Sequence, residues 1–363
     1  MTNLIVTISD YTNYGNRLQN YALTQLLSDA YGETTTARFQ SNLPTFKHKL
    51  VRNAKKTAKR LRANIVRGQK LLDLQRTRKC VAFTKRYIPD DRFTLTDYRG
   101  LTAKQGATYN RVVLGSDQIW NYNWITKRDL GLALGSFTPA GCPVISYAAS
   151  FGISSIDEDT QAVFKQYLPK LKAISVREFR GAELVKEMTG LDATVVLDPT
   201  LMLTANDWKT ITEGFVPKDD KYVLTYFLGH PSDEQERNIQ EYAKKHGCRI
   251  RRILDMRDPQ TYLAGPQDFV ELFSKAEYVF TDSYHACCFS MLFHKQFTVF
   301  NRANMTGKSS MNSRMETLFR LFDLESVIID AGLAPTIDYE NVDRLLAARR
   351  ERSGAWLAEA MHD

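Results

Sequence analysis

The chain is short of the residues that build several common kinds of site. Its 363 residues include only five cysteines, Cys80, Cys142, Cys248, Cys287 and Cys288. That odd number, without a CxxC, excludes a disulfide framework and a cysteine zinc site. No hydrophobic run approaches the ~20 residues needed to cross a bilayer. The first residues lead straight into an apolar strand pattern, Leu4-Ile5-Val6-Thr7-Ile8, with no leader pattern ahead of it, so the cytoplasm is the expected compartment. Also lacking in any suitable context are GxSxG, HExxH, a P-loop and the GxGxxG of dinucleotide sites. Asp255 and Asp258 are close in sequence, but no histidine stands beside them. A metal-independent site with no resident cofactor is expected.

What is present is the composition of a soluble globular protein, 43% hydrophobic and 25% charged, in a chain long enough for two domains. The net charge of +8 is uneven. Residues 47–79 hold 13 Lys/Arg against one acid, Asp73, leaving −4 for everything else. Leu50, Ala54, Ala58, Leu61 and Ile65 recur through this block at helical spacing. A basic amphipathic helix of this kind suits an anionic membrane surface. A solvated helix with one face packed on the body explains the same pattern. Nucleic acid is not expected, because no reading motif accompanies the charge.

Strand and helix signals alternate along the chain. Strand 4–8 precedes a helix near 16–30, and strand-like runs follow at 112–114, 144–148, 174–176 and 195–197. Leu197-Asp198-Pro199 breaks the series, since proline cannot join a central strand, and Asp198 reads as part of a hinge. A second series runs from Tyr222 through strand 297–300. The expected fold class is therefore α/β, with two doubly wound α/β/α Rossmann-like domains. The expected division is 1–205, carrying the basic insert 47–79, then 206–335, and a closing helix in 336–363. Ligands of such folds bind beyond the carboxyl ends of the strands, here in a cleft between the domains.

Five segments carry residues suited to chemistry. After strand 278–280, Thr281, Asp282 and Ser283 precede an apolar helix, leaving free N–H groups near Tyr284, His285 and Ala286. A histidine beside an anion held there can donate a proton, although a structural histidine in a strand–helix turn fits as well. In the first loop Asn13, Asn16, Arg17 and Gln19 flank Gly15 and offer polyol or anion contacts; the alternative is that Asn16 serves only as a helix cap. Past the strand at 112–114, Asp117 can orient or deprotonate a sugar hydroxyl, Gln118 and Asn121 can bond hydroxyls, and Trp120 can stack on a ring. Asp117 is equally a turn former. Arg177 ends another strand, either as a carboxylate or phosphate ligand or as a surface cap, and Arg314 follows Asn312-Ser313 at a helix start as a further anion candidate.

Six segments taken together resemble the polysaccharide pyruvyl transferase family of bacterial cell-surface glycan synthesis. They begin at Asn13-Tyr14-Gly15-Asn16-Arg17-Leu18-Gln19-Asn20, Gly115-Ser116-Asp117-Gln118-Ile119-Trp120-Asn121 and Ser146-Tyr147-Ala148-Ala149-Ser150-Phe151-Gly152. They continue with Ser175-Val176-Arg177-Glu178, Val196-Leu197-Asp198-Pro199-Thr200 and Thr281-Asp282-Ser283-Tyr284-His285. Order and spacing hold from about residue 4 to 330. One departure is Ala286-Cys287, where a small residue, often glycine, is expected after the histidine.

The resemblance implies a two-domain fold like the GT-B glycosyltransferases, with phosphoenolpyruvate as co-substrate. The product implied is a pyruvate ketal across two hydroxyls of a sugar, often on a lipid-linked oligosaccharide. It also implies His285 as the catalytic acid and Arg177 as the ligand of the donor carboxylate. Asp117 is then the expected hydroxyl base. Ser283, Tyr284, Ala286 and Arg314 complete the expected donor set, and Asn13, Asn16, Arg17, Gln19, Gln118, Trp120 and Asn121 the acceptor set. A place at the inner face of the plasma membrane would follow if 47–79 docks there. The alternatives are a nucleotide-sugar glycosyltransferase on the same scaffold and a non-catalytic glycan-binding protein. The acceptor sugar, the bridged hydroxyl pair and the oligomeric state are not legible.

Overall fold

Alternating side chains that are apolar on both faces of a strand call for a parallel sheet covered on both sides, and the computed structural model contains two. It describes residues 2–10, 12–38, 63–94, 109–123, 125–301 and 312–362. The first sheet is built from β1 (Thr2–Val6), β2 (Glu33–Arg38), β3 (Asp90–Thr94), β4 (Arg111–Leu114), β5 (Val144–Ala149), β6 (Ala173–Val176) and β7 (Thr194–Val195). Its spatial order is β3-β2-β1-β4-β5-β6-β7, and all its pairings are parallel. Leu4, Val6, Val112 and Leu114 enter one core, while Ile5, Val113 and Ile145 enter the core on the opposite face.

The second sheet contains β8 (Tyr222–Tyr226), β9 (Arg249–Ile253), β10 (Tyr278–Thr281), β11 (Phe297–Phe300) and β12 (Ile328–Ile329), in the order β12-β11-β10-β8-β9 and again parallel. Tyr222, Leu224 and Val279 face one core, and Val223, Tyr278 and Phe280 the other. Each sheet reverses its winding once, between β1 and β4 in the first and between β8 and β10 in the second. Loops diverge at such points and leave a crevice.

Helices tie the sheets together. The helix α1 (Tyr14–Tyr31) follows β1 and is capped by Asn13, whose side chain accepts from the Asn16 N–H. Asn13, not Asn16, is thus the cap. Tyr14 and Leu18 share a core with Phe269, Val279 and Phe289 of the second half, and the Tyr14 hydroxyl donates to the Ala264 carbonyl at 2.8 Å. In α2 (Ala63–Tyr87), Arg76 donates to the Thr12 carbonyl at 3.0 Å and lies 5.6 Å from the Tyr262 ring. Lys79 pairs with Asp268 at 2.6 Å. Two cations of the basic block therefore join the halves. The part of that block over 47–62, with most of its apolar repeat, lies outside the described residues. Among the described residues no helix is long and apolar enough to cross a membrane.

Candidate functional site

The two reversal points face each other across one cavity. From the first half it is lined by Asn13, Asp117 and Gln118, and from the second by Tyr226, Leu228, Asp282, Ser283, Tyr284, His285 and Arg314, among others. His285 sits in the first turn of α3 (Tyr284–Leu292), directly after β10. Ser283 is the N-cap residue, yet its side chain makes no cap hydrogen bond. The first helical bond runs from the Cys287 N–H to the Ser283 carbonyl at 3.1 Å. The amides of residues 284–286 precede that bond, as helix geometry requires. Ala286 itself is fully buried, so only its amide is a candidate contact.

His285 is only 7% exposed, but it lines the cavity and its surroundings are charged rather than apolar. Its Nε2 has no hydrogen-bond partner and stands 3.8 Å from Asp198 Oδ2. The other edge of the ring lies on α1. A Cβ at Gly15 would come within 2.0 Å of Nδ1, so only glycine admits the ring there. Burial pushes the imidazole below its usual 6.5; Asp198 and Asp117 pull it up, while Arg177 and Arg314 add to the lowering.

Beneath the histidine lies a buried ion cluster. The Arg177 side chain is wholly enclosed, with Nη1 2.6 Å from Asp198 and Nη2 3.0 Å from Asp117, and its guanidinium lies 4.4 Å from the centre of the Tyr284 ring. Asp198 also accepts from the Ser116 hydroxyl at 3.2 Å and from the Thr200 N–H and hydroxyl at 3.0 and 2.7 Å. Burial raises the Asp117 carboxyl, but Arg177, His285 and Arg314 outweigh it and hold the group well below the ordinary carboxylate range. Its backbone is left-handed, with φ of 63°, the kind of strain that marks functional turns.

These contacts correct several expectations. Both arms of Arg177 are engaged by carboxylates and its side chain is sealed, so it is not a donor-carboxylate ligand. Asp117 lines the cavity, but a carboxylate so strongly stabilised as its anion is a poor proton acceptor. Trp120 is fully buried, donates to the Ala133 carbonyl at 3.1 Å and packs 5.2 Å from Phe151, so it cannot stack on a sugar. Gln19 is buried and bonded to Thr7, the Asn16 carbonyl and the Ser116 amide. Arg17 is buried and holds the Ile8 carbonyl at 2.8 Å. Asn121 is 2% exposed, with its oxygen accepting from the Asn123 amide. Asn16 reaches Asp117 at 3.4 Å and borders a recess of about 130 Å³ beside the cavity. Of the expected acceptor set, Asn13 and Gln118 remain on the main cavity.

Arg314, from the helix α4 (Asn312–Phe322), is the arginine that lines the cavity among the described residues. It is 7% exposed, its Nε is buried without a partner, and the Gln118 amide lies 3.1 Å from Nη1. Burial, then the Arg177 charge, pushes it down to about 10. A bound anion would offset the burial and the Arg177 charge that act against this cation. Two participants were missed from sequence. Asp198, read as a hinge, is the central counter-charge. Asp282 accepts from the Leu228 and Gly229 amides at 2.7 and 2.8 Å and so fixes the opposite wall. Both stand at strand ends ahead of helices, the same signal that singled out Asp117.

The motifs that build this cavity run from Asn13 to Arg314, and a model of the family described as polysaccharide pyruvyl transferase matches residues 13–304. The chain belongs to that family. A search of curated proteins gives no match. Among solved structures, UDP-GlcNAc 2-epimerase from Neisseria meningitidis is 10% identical, with a TM-score of 0.47 over 99% of each chain. A putative UDP-N-acetylglucosamine 2-epimerase from Listeria monocytogenes is 13% identical, with a TM-score of 0.49 over 99% of this chain and 91% of that one. ADP-heptose lps heptosyltransferase II of E. coli is 10% identical, with a TM-score of 0.41 over 96% and 98%. For this pyruvyl transferase family member, membership indicates a transferase acting in polysaccharide synthesis. The chemistry of the cavity supplies the finer reading.

Proposed function

We propose that the protein transfers the pyruvyl group of phosphoenolpyruvate to two hydroxyls of a sugar in a cell-surface glycan, giving a ketal and free phosphate. The observation that carries the reading is an imidazole nitrogen without a hydrogen-bond partner and a buried guanidinium bonded to an amide rather than a carboxylate, both lining one cavity from the first turns of two helices. In this reading His285 gives its proton to the methylene carbon of the donor. The carbon bearing the carboxylate becomes oxocarbenium-like, and a sugar hydroxyl attacks it, its proton passing back to the imidazole. The bond to the phosphate oxygen then breaks, phosphate leaves, and the second hydroxyl closes the ring, its proton leaving with the phosphate. Arg314 takes the donor carboxylate or phosphate, and the amides of residues 284–286 hold the departing phosphate. Asp117, Arg177 and Asp198 set the field around the imidazole.

The test is phosphate release from phosphoenolpyruvate with a panel of sugar acceptors, with mass spectrometry of the products. A gain in mass of one pyruvate less water, with one phosphate released, is expected. Phosphate release with no pyruvylated sugar would overturn the ketal reading. A nucleotide-sugar glycosyltransferase would instead elongate the acceptor.

The proposal extends to a lipid-linked acceptor and a peripheral position on an anionic membrane through 47–79. In support, the described part of α2 exposes Leu71 and Leu74, at 56% and 48%, beside exposed Lys70 and Arg78. Binding to phosphatidylglycerol vesicles should weaken with salt and with neutralisation of these cations. Equal binding to phosphatidylcholine vesicles would end the idea.

A further inference from the structure

A second cavity, of about 610 Å³, opens beyond the carboxyl ends of β8 and β9. Its walls come from the loop after β8 (Phe227, Leu228, His230), the loop after β9 (Asp255, Met256, Arg257) and Gln69 of α2. It adjoins the catalytic cavity through Leu228, which lines both. That wall is rigid at its root, because Asp282 holds the Leu228 and Gly229 amides. No role has been given to this space. Yet a donor of three carbons needs an acceptor that enters beside it, and the acceptor residues expected from sequence are mostly sealed in the interior.

We infer that this cavity is a subsite for the neutral oligosaccharide arm of the acceptor, next to the sugar that receives the pyruvyl group. Size is the first argument: about 610 Å³ lies within the range of ligand pockets, roughly 300–1,000 Å³. Charge balance is the second. Arg257 lies 2.5 Å from Asp255 and 3.2 Å from Glu236, and Glu236 also pairs with Arg252. Two cations thus meet two carboxylates, so among the described residues of this wall the charge is balanced, in contrast to Arg314 on the neighbouring cavity. The third argument is chemical texture. Leu228 and Met256 are 49% and 38% exposed and offer apolar surface to the C–H face of a sugar. Asp255, Arg257 and Gln69 supply the fixed donors and acceptors that hydroxyls require. This inference rests on the proposed glycan acceptor for its ligand class, but not on the chemical step.

The test uses the full-length protein and a glycan array of neutral di- to tetrasaccharides, with phosphoenolpyruvate binding followed separately by thermal shift. Met256→Trp, which fills the cavity from an exposed position, should lower glycan binding at least tenfold and leave the phosphoenolpyruvate shift intact. Gln69→Ala, a milder change, should lower it about threefold, in line with the loss of one modest hydrogen bond. Glycan binding unaltered in both variants would overturn the subsite. So would the absence of neutral-glycan binding on the whole array, or displacement of the glycans by UDP or ADP. Loss of the phosphoenolpyruvate shift in the wild type would instead strike the proposed donor and leave the subsite standing.

Discussion

The two halves contribute to one cavity in opposite ways. On the first sheet the charges are paired: Arg177 is clasped by two carboxylates, and Asp198 accepts four bonds from three residues, Arg177, Ser116 and Thr200. On the second, among the described residues, neither the His285 imidazole nor the Arg314 guanidinium has a carboxylate within hydrogen-bond distance, and the first turn of α3 has no side-chain cap. Paired charge is held in place and is a poor ligand. Open groups cost stability and are retained where a ligand completes them. In the proposed mechanism one half therefore supplies a fixed field and the other the chemistry.

If that division holds, Arg177→Met should be the most damaging change and should act on folding. It strands Asp117 and Asp198 without their counter-charge, which costs on the order of 3–5 kcal/mol. Denaturant unfolding should show the loss, and adding Asp198→Asn should restore part of it. A single variant as stable as the wild type would break the comparison.

His285→Ala should do the reverse. Turnover should fall by about 10²–10⁴, the usual worth of a positioned acid, while the unfolding midpoint stays close to the wild type. A large loss of stability would move His285 to the structural half.

The sequence pattern made the architecture plain because its cause is local. The runs at 112–114, 144–148, 174–176 and 297–300 fall on the strands Arg111–Leu114, Val144–Ala149, Ala173–Val176 and Phe297–Phe300, because each is a short apolar run bounded by polar turns. The site was legible only in part. His285, Asn13, Gln118 and Arg314 announce themselves by strand ends and helix starts. The sealing of Arg177, Trp120 and Gln19 depends on partners about 12 to 100 positions away, such as Asp117, Ala133 and Ser116. An arginine at a strand end looks the same whether carboxylates fold over it or leave it open. Asp198 illustrates the converse: its proline neighbour marks a chain break, and the break is what carries it under the histidine.

Gly15 joins the two halves, and changing it tests them with a smaller effect. In Gly15→Ala the new methyl group would meet His285 Nδ1 at 2.0 Å, so the ring must swing away from its place. A misplacement of about 1 Å costs roughly 10²-fold in rate. Alanine in a helix is otherwise favourable by up to ~1 kcal/mol, so activity should fall without a matching loss of stability. Full activity would show that the ring position is not critical.

The smallest and sharpest test is the pH dependence of His285. Folding holds its imidazole below the usual 6.5, chiefly through burial. Below that pH the unfolded chain binds a proton that the folded chain resists, so stability contributed by the neutral ring is lost as pH falls from 6.5 toward the folded value. Wild type should therefore lose stability more steeply than His285→Gln between pH 7 and 5, and parallel curves would refute the shift. Catalysis adds the second arm. The acid must be protonated, so kcat/KM, which reports the free enzyme, should rise as pH drops below 6.5. A bound anion raises the imidazole and neutralises Arg314, whose charge helps to lower it, so the corresponding limb of kcat should lie at higher pH. Limbs that coincide would mean that the donor does not reach Arg314, and the open half of the site would lose its anion receptor.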